Sequence, residues 1–135
     1  MNGSERRLTI AAIVFVAANI VHSLDHVRQG LSGVTTEVLV GGSILTLLAL
    51  ATLWFALRRD PQAPFIAAVV GSFAAVGVAA AHIPPGWGVL SDSYPDIHAD
   101  ALSWIVMLLE VGAAMFLALS GFAAMRRRRR HTQHA

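Results

Sequence analysis

Residues 8–27 read LTIAAIVFVAANIVHSLDHV, an apolar run that turns polar only towards its end, at Asn19, His22, Asp25 and His26. About 20 such residues, rising 1.5 Å each as a helix, cross the hydrocarbon core of a bilayer. Three further stretches have the same character, about 37–57, 64–83 and 101–124. The expected fold is all-α: a four-helix antiparallel transmembrane bundle forming one integral membrane domain over 1–125, with a basic tail at 126–135. Ser93-x-x-Asp96 has the form of a capping box, with Pro95 in the first turn. The last helix is therefore expected to run over 94–124. Thr36 is the expected cap of the second helix, and Pro64 suits the first turn of the third.

Composition agrees with this reading. Of 135 residues, 56% are hydrophobic and 13% charged, and the mean hydropathy is +0.62. That charge content is about half the globular norm of roughly 25%, which leaves little for a soluble domain. Cysteine is absent, so this chain alone makes no disulfide, zinc–thiolate site or iron–sulfur cluster. Lysine is absent too, and all 10 Lys+Arg residues are arginine. With abundant Ala, Val and Gly, this has the look of a GC-rich bacterial coding bias.

Arginine placement orients the helices. Arg6 and Arg7 precede the first span, Arg58 and Arg59 follow the second, and Arg126–Arg130 follow the fourth. The first connection holds only Arg28, and the third, 84–96, holds none. Both termini are therefore expected on the cytoplasmic side of a bacterial plasma membrane. The long first run has no clear Ala-x-Ala exit and reads as a retained anchor. The arginine tail reads as a contact with anionic lipid, not with nucleic acid, for which no base-reading fold accompanies it. His131 and His134 belong to that tail and are set aside. Trp87, Tyr94 and Trp104 would form an outer aromatic belt and Trp54 an inner one.

Against this hydrocarbon background, His22, Asp25, His26, His82, Asp92, Asp96, His98 and Asp100 all fall at the expected outer face. Ionisable groups are costly in a bilayer, so such a cluster marks a functional site. At 100° per residue, Asn19, His26 and Asp25 lie within about 60° of His22 on the first helix. Histidines at i and i+4 can reach one metal ion. Asp25 is a candidate third ligand or a group that orients an imidazole; Arg28, one turn on, is its alternative partner. On the fourth helix, Asp96, Asp100, Ser103, Met107 and Glu110 lie within about 40° of one stripe. Glu110 would sit roughly 12 Å deep, where a charged carboxylate costs about 2.5–3.5 kcal/mol. It must be protonated, paired or wet, with Asn19, Ser43 and Thr46 as candidate partners. His98 points about 200° away from that stripe and joins the site only if the helix starts later. His82 ends a face of small residues, Gly71–Ala75–Val78–His82, that permits close helix approach.

Four functional classes follow. In the leading one His22, His26, His82 and Asp100, with His98 as a further candidate, hold zinc, iron, manganese or copper in a non-haem centre. Asp25 and Glu110 are then the candidate catalytic groups, and Asn19, Tyr94 and Asp96 line the pocket for a small or lipid-soluble ligand. A membrane hydrolase or oxidoreductase would work this way. The second class is b-type haem clamped between histidines of two helices, such as His22 or His26 with His82. The third is a proton-coupled carrier or binding subunit that uses Glu110. The fourth is a purely structural subunit of a larger complex, which leaves the polar stripes unexplained unless a partner completes the site; so small a bundle also invites a homodimer or a larger membrane complex.

Overall fold

The four apolar stretches are all helical. The computed structural model describes residues 3–31 and 34–133, with side-chain placement through Arg128. The helices are α1 (Gly3–Gln29), α2 (Thr36–Leu57), α3 (Ala63–His82) and α4 (Ala101–Gln133). Each is long and apolar enough to cross a membrane, and a helix is the form that satisfies its own backbone polar groups in lipid. The side chains of Arg129, Arg130 and His131, and all of His134, lie outside the described residues.

Burial is inverted relative to a water-soluble domain. Large apolar side chains such as Leu47, Phe73, Val76 and Leu109 face outward, Phe73 being 76% exposed. Asn19, His22, Asp25, His82, Ser103 and Glu110 are buried instead. Polar groups inside and hydrocarbon outside suit a chain solvated by lipid tails, and these helices point to a multi-pass membrane protein. α2 is the most peripheral, burying only Ala49, Thr52 and Ala56.

Alanine and glycine let the helices approach closely. A Cβ on Gly71 would stand 2.6 Å from the Ala114 oxygen and the Ala118 nitrogen of α4. One on Gly121 would stand 2.5 Å from the Pro64 oxygen of α3. Backbone-to-backbone contact at both points locks α3 onto α4. α1 lies against α4 and α2, so the first and last helices are neighbours.

α1 starts at Gly3 instead of 8 and α4 continues to Gln133 instead of 124, into the basic tail; two helix starts also differ from the sequence reading in their capping. Thr35, not Thr36, caps α2: it has the extended backbone a cap requires, and its hydroxyl accepts from Val38 N at 3.3 Å. α4 begins at Ala101 instead of 94. Segment 91–100 is occupied in closing α3, with Asp92 N donating to Ala81 O and Tyr94 N to His82 O. Ser93 does start a turn, but Asp96 turns its carboxylate to Gly86 N at 2.7 Å instead of completing a capping box. His98, at φ 52°, ends that turn in the left-handed region. Asp100 then caps α4 by accepting from Ser103 N at 2.9 Å.

Candidate metal centre

α1 sets His22 above His26, one helical turn apart, and the C-terminus of α3 brings His82 beside them. The ring centres are 4.8 Å apart for His22 and His26, 5.0 Å for His22 and His82, and 5.3 Å for His26 and His82. Their candidate ligand nitrogens lie within 4.8 Å of one another, close enough to hold a metal ion. Imidazoles bound tetrahedrally at 2.0–2.1 Å place their ring centres about 5 Å apart and their nitrogens about 3.3 Å apart. The ring centres already stand at that separation.

The Nδ1 atoms of all three rings face oxygen. His82 Nδ1 donates to the backbone oxygen of Asp92 at 2.9 Å. His26 Nδ1 lies 3.4 Å from Asp92 Oδ2, and His22 Nδ1 bonds Glu110 Oε2. A carbonyl only accepts, so His82 carries its proton on Nδ1 and offers the lone pair of Nε2 when neutral. Oxygen acceptors behind the rings are the outer shell that orients metal-binding imidazoles and raises their basicity. Tyr94 closes the site from the loop side. Its hydroxyl lies 3.1 Å from His22 Nε2, and its ring packs on His82 at 4.5 Å and edge-on to Trp104 at 5.5 Å. Tyr94 is fully buried and so does not belong to an interfacial belt. Burial raises the pKa of its phenol, and burial likewise raises that of the Asp92 carboxyl against the opposing pull of His26 and His22.

Glu110 is 0% exposed and anchors a chain of bonds into the bundle. Asn19 Nδ2 donates to Glu110 Oε1 at 2.8 Å, and Thr46 Oγ1 donates to Asn19 Oδ1 at 2.8 Å. Ser43 does not join; its hydroxyl donates to Leu39 O within α2. Every buried side-chain polar atom here has a partner: among the described residues the unsatisfied one is Ser120 Oγ, elsewhere in α4.

Asp25 and Asp100 go to arginine. Arg28 Nε donates to Asp25 Oδ1 at 2.7 Å, and its two terminal nitrogens hold Asp100 in a fork, both at 3.0 Å. One of them also donates to Ser103 Oγ at 2.9 Å, while Gln29 holds the second Asp25 oxygen at 2.7 Å. The Ser103 backbone and Arg28 together draw the Asp100 carboxyl down to about 2. Asp25 and Asp100 thus form a strap across α1 and α4 beside the histidines. Asp96 is exposed and bound to Gly86, and His98 is exposed on its left-handed turn.

Asp92 falls in the polar cluster legible in the sequence, but nothing local marks it as the partner of His26 and His82. It lies ten positions after His82, across Pro84-Pro85-Gly86, and that turn was the available sign that the chain doubles back over the end of α3. A cavity of about 210 Å³ lies at the arginine end, whereas His22 and His82 are buried at the other end. Compared with protein-family models, curated proteins and solved structures, the chain matches none.

Proposed function

We propose that this chain is an antiparallel four-helix membrane protein of a bacterial plasma membrane, with both termini cytoplasmic and a non-haem metal centre at the outer end. His22, His26 and His82 are its ligands. The observation that carries this reading is the triad itself: three imidazoles spaced as a metal requires, with each Nδ1 facing an oxygen acceptor. Nitrogen and oxygen donors without thiolate suit zinc, iron, manganese or copper(II). Bound metal would supply a Lewis acid for a small or lipid-soluble ligand. Glu110 orients His22 and can take or return a proton there, Tyr94 shields the triad, and the Arg28 strap fixes α1 against α4.

Haem fits this cluster poorly. Imidazoles on opposite sides of a metal, bound at 2.0–2.1 Å, hold their ring centres about 6 Å apart with the macrocycle between them. The 4.8–5.3 Å spacings here leave no such slot.

Protein purified without added metal should carry about one equivalent by elemental analysis. The His22→Ala, His26→Ala double variant and His82→Ala should each lose it while keeping their helix content. Equal metal in variant and wild type would remove the proposal. A proton-coupled carrier would then lead, supported by the bonded series from Tyr94 through His22, Glu110 and Asn19 to Thr46; Glu110→Gln would stop proton uptake by protein-loaded vesicles.

A further inference from the structure

The other end of the bundle has a different chemistry. Ser120 is 2% exposed, and among the described residues its hydroxyl is the buried side-chain polar atom without a hydrogen-bond partner. It lines a small cavity of about 30 Å³ with Gly3, Ser4, Arg7, Ala124 and Arg127. Among the described residues no Asp or Glu lines that cavity, whereas two arginines do. Arg7 is exposed, and its guanidinium lies 5.7 Å from the ring centre of Phe116, one turn before Ser120 on α4. The larger cavity of about 210 Å³ adjoins, sharing Gly3, Ser4, Ala124 and Arg127 and adding Arg59 and Arg128 beside Glu5 and Asp60.

We propose that Arg7, Arg127 and the Ser120 hydroxyl bind a phosphate group between the start of α1 and the end of α4, supplied by an anionic phospholipid. A guanidinium pair without a carboxylate matches phosphate oxygens through forked, charge-assisted hydrogen bonds. A buried hydroxyl left without a partner is costly, and a ligand oxygen in the small cavity satisfies it. That cavity holds about one water-sized group, which suits a single phosphate oxygen, and the larger space beside it receives the rest of the headgroup. The acyl chains then follow the apolar outer surface of α1 and α4, where Ile10, Ile13, Val14 and Leu119 are exposed. This site is separate from the histidine cluster and does not depend on it.

The full-length protein is reconstituted with phosphatidylcholine containing phosphatidylglycerol, extracted in mild detergent, and weighed by native mass spectrometry. Wild type should retain one phosphatidylglycerol in preference to phosphatidylcholine. The Arg7→Lys, Arg127→Lys pair keeps the charge but loses the fork, and should reduce retention roughly tenfold. Ser120→Ala should reduce it as well, while Arg58→Gln, whose guanidinium stacks on Trp54, should not. Circular dichroism on each variant establishes that it is folded; a misfolded lysine pair leaves Ser120→Ala as the deciding variant. Equal retention by the lysine pair would mean diffuse surface attraction, and equal retention by Ser120→Ala would mean that the cavity holds only water. Either result overturns the proposal. Protection by inorganic phosphate alone, with no lipid preference, would overturn the lipid source.

Discussion

The interior changes character along its length. Towards the arginine end it is filled by Leu8, Ala11, Ala12, Phe15, Ala63, Ala67, Ala114 and Leu117. Towards the other end Asn19, His22, His82, Tyr94 and Glu110 replace hydrocarbon; Asn19, Glu110, His22 and Tyr94 are bonded in series, and His82 is bonded to the Asp92 backbone oxygen. Lipid tails are as apolar as leucine, so burying alanine and leucine inside such a bundle gains little over leaving them outside. The apolar half is held by close packing of small residues. The polar half is held by bonds that would go unmade in lipid, and such networks specify a unique arrangement only when complete. One half thus supplies the scaffold, and the other supplies groups a scaffold does not need.

The largest expected effect comes from opening the polar network. Glu110→Ala strands Asn19 and His22 at once; breaking a buried pair from one side costs about 3–5 kcal/mol. Thermal unfolding in detergent should show that loss, with Glu110→Gln milder because the amide still bonds Asn19. Replacing Asn19, His22 and Glu110 together by leucine should recover stability while removing metal binding. If the triple variant stays as unstable as Glu110→Ala, the polar half is structural and the contrast between the halves fails.

A smaller effect is expected in the scaffold. Gly71→Leu puts a side chain where even a Cβ meets α4 backbone at 2.6 Å. Overpacking of this kind costs typically 1–3 kcal/mol. The α3–α4 contact should loosen, lowering the unfolding temperature, and the same change at Gly77, where a Cβ meets open space, should not. Equal behaviour of the two variants would show that small-residue packing does not hold this half.

The smallest effect concerns the strap at the edge of the polar half. Asp100 titrates near 2 when folded, below its ordinary 3.8. A depressed carboxylate contributes stability at pH above the unfolded value and loses it as pH falls from about 4 towards 2. Asp100 is exposed, so the contribution is small. Asp100→Asn should flatten the acid limb of the stability curve between pH 4 and 2, and an unchanged limb would leave the Arg28 fork without weight.

Much of this was legible in the sequence. Four spans and a polar cluster among them followed from hydropathy alone, since burying charge in lipid is costly enough to be visible in one dimension. The i, i+4 spacing placed His22 and His26 on one face, and the Gly71–His82 face did run towards the cluster. What misled was the loop. Ser93-x-x-Asp96 looks like a helix start locally, yet the last carbonyls of α3 take the amide donors of Asp92 and Tyr94, so the segment folds back. Asp25 and Asp100 looked like ligands by residue type, and Arg28, 72 positions from Asp100, claimed both.

By itself the sequence determined that the chain is helical, suited to a membrane, free of thiolate chemistry and polar at one end, because composition and period act over a single helix. Only the tertiary structure decided that His82 meets the α1 histidines, that Asp92 stands behind two of them and that Asp25 and Asp100 belong to Arg28. Those outcomes depend on which partner lies nearest across helices, and strong hydrogen-bond acceptors such as carboxylates go to whichever donor the packing delivers first.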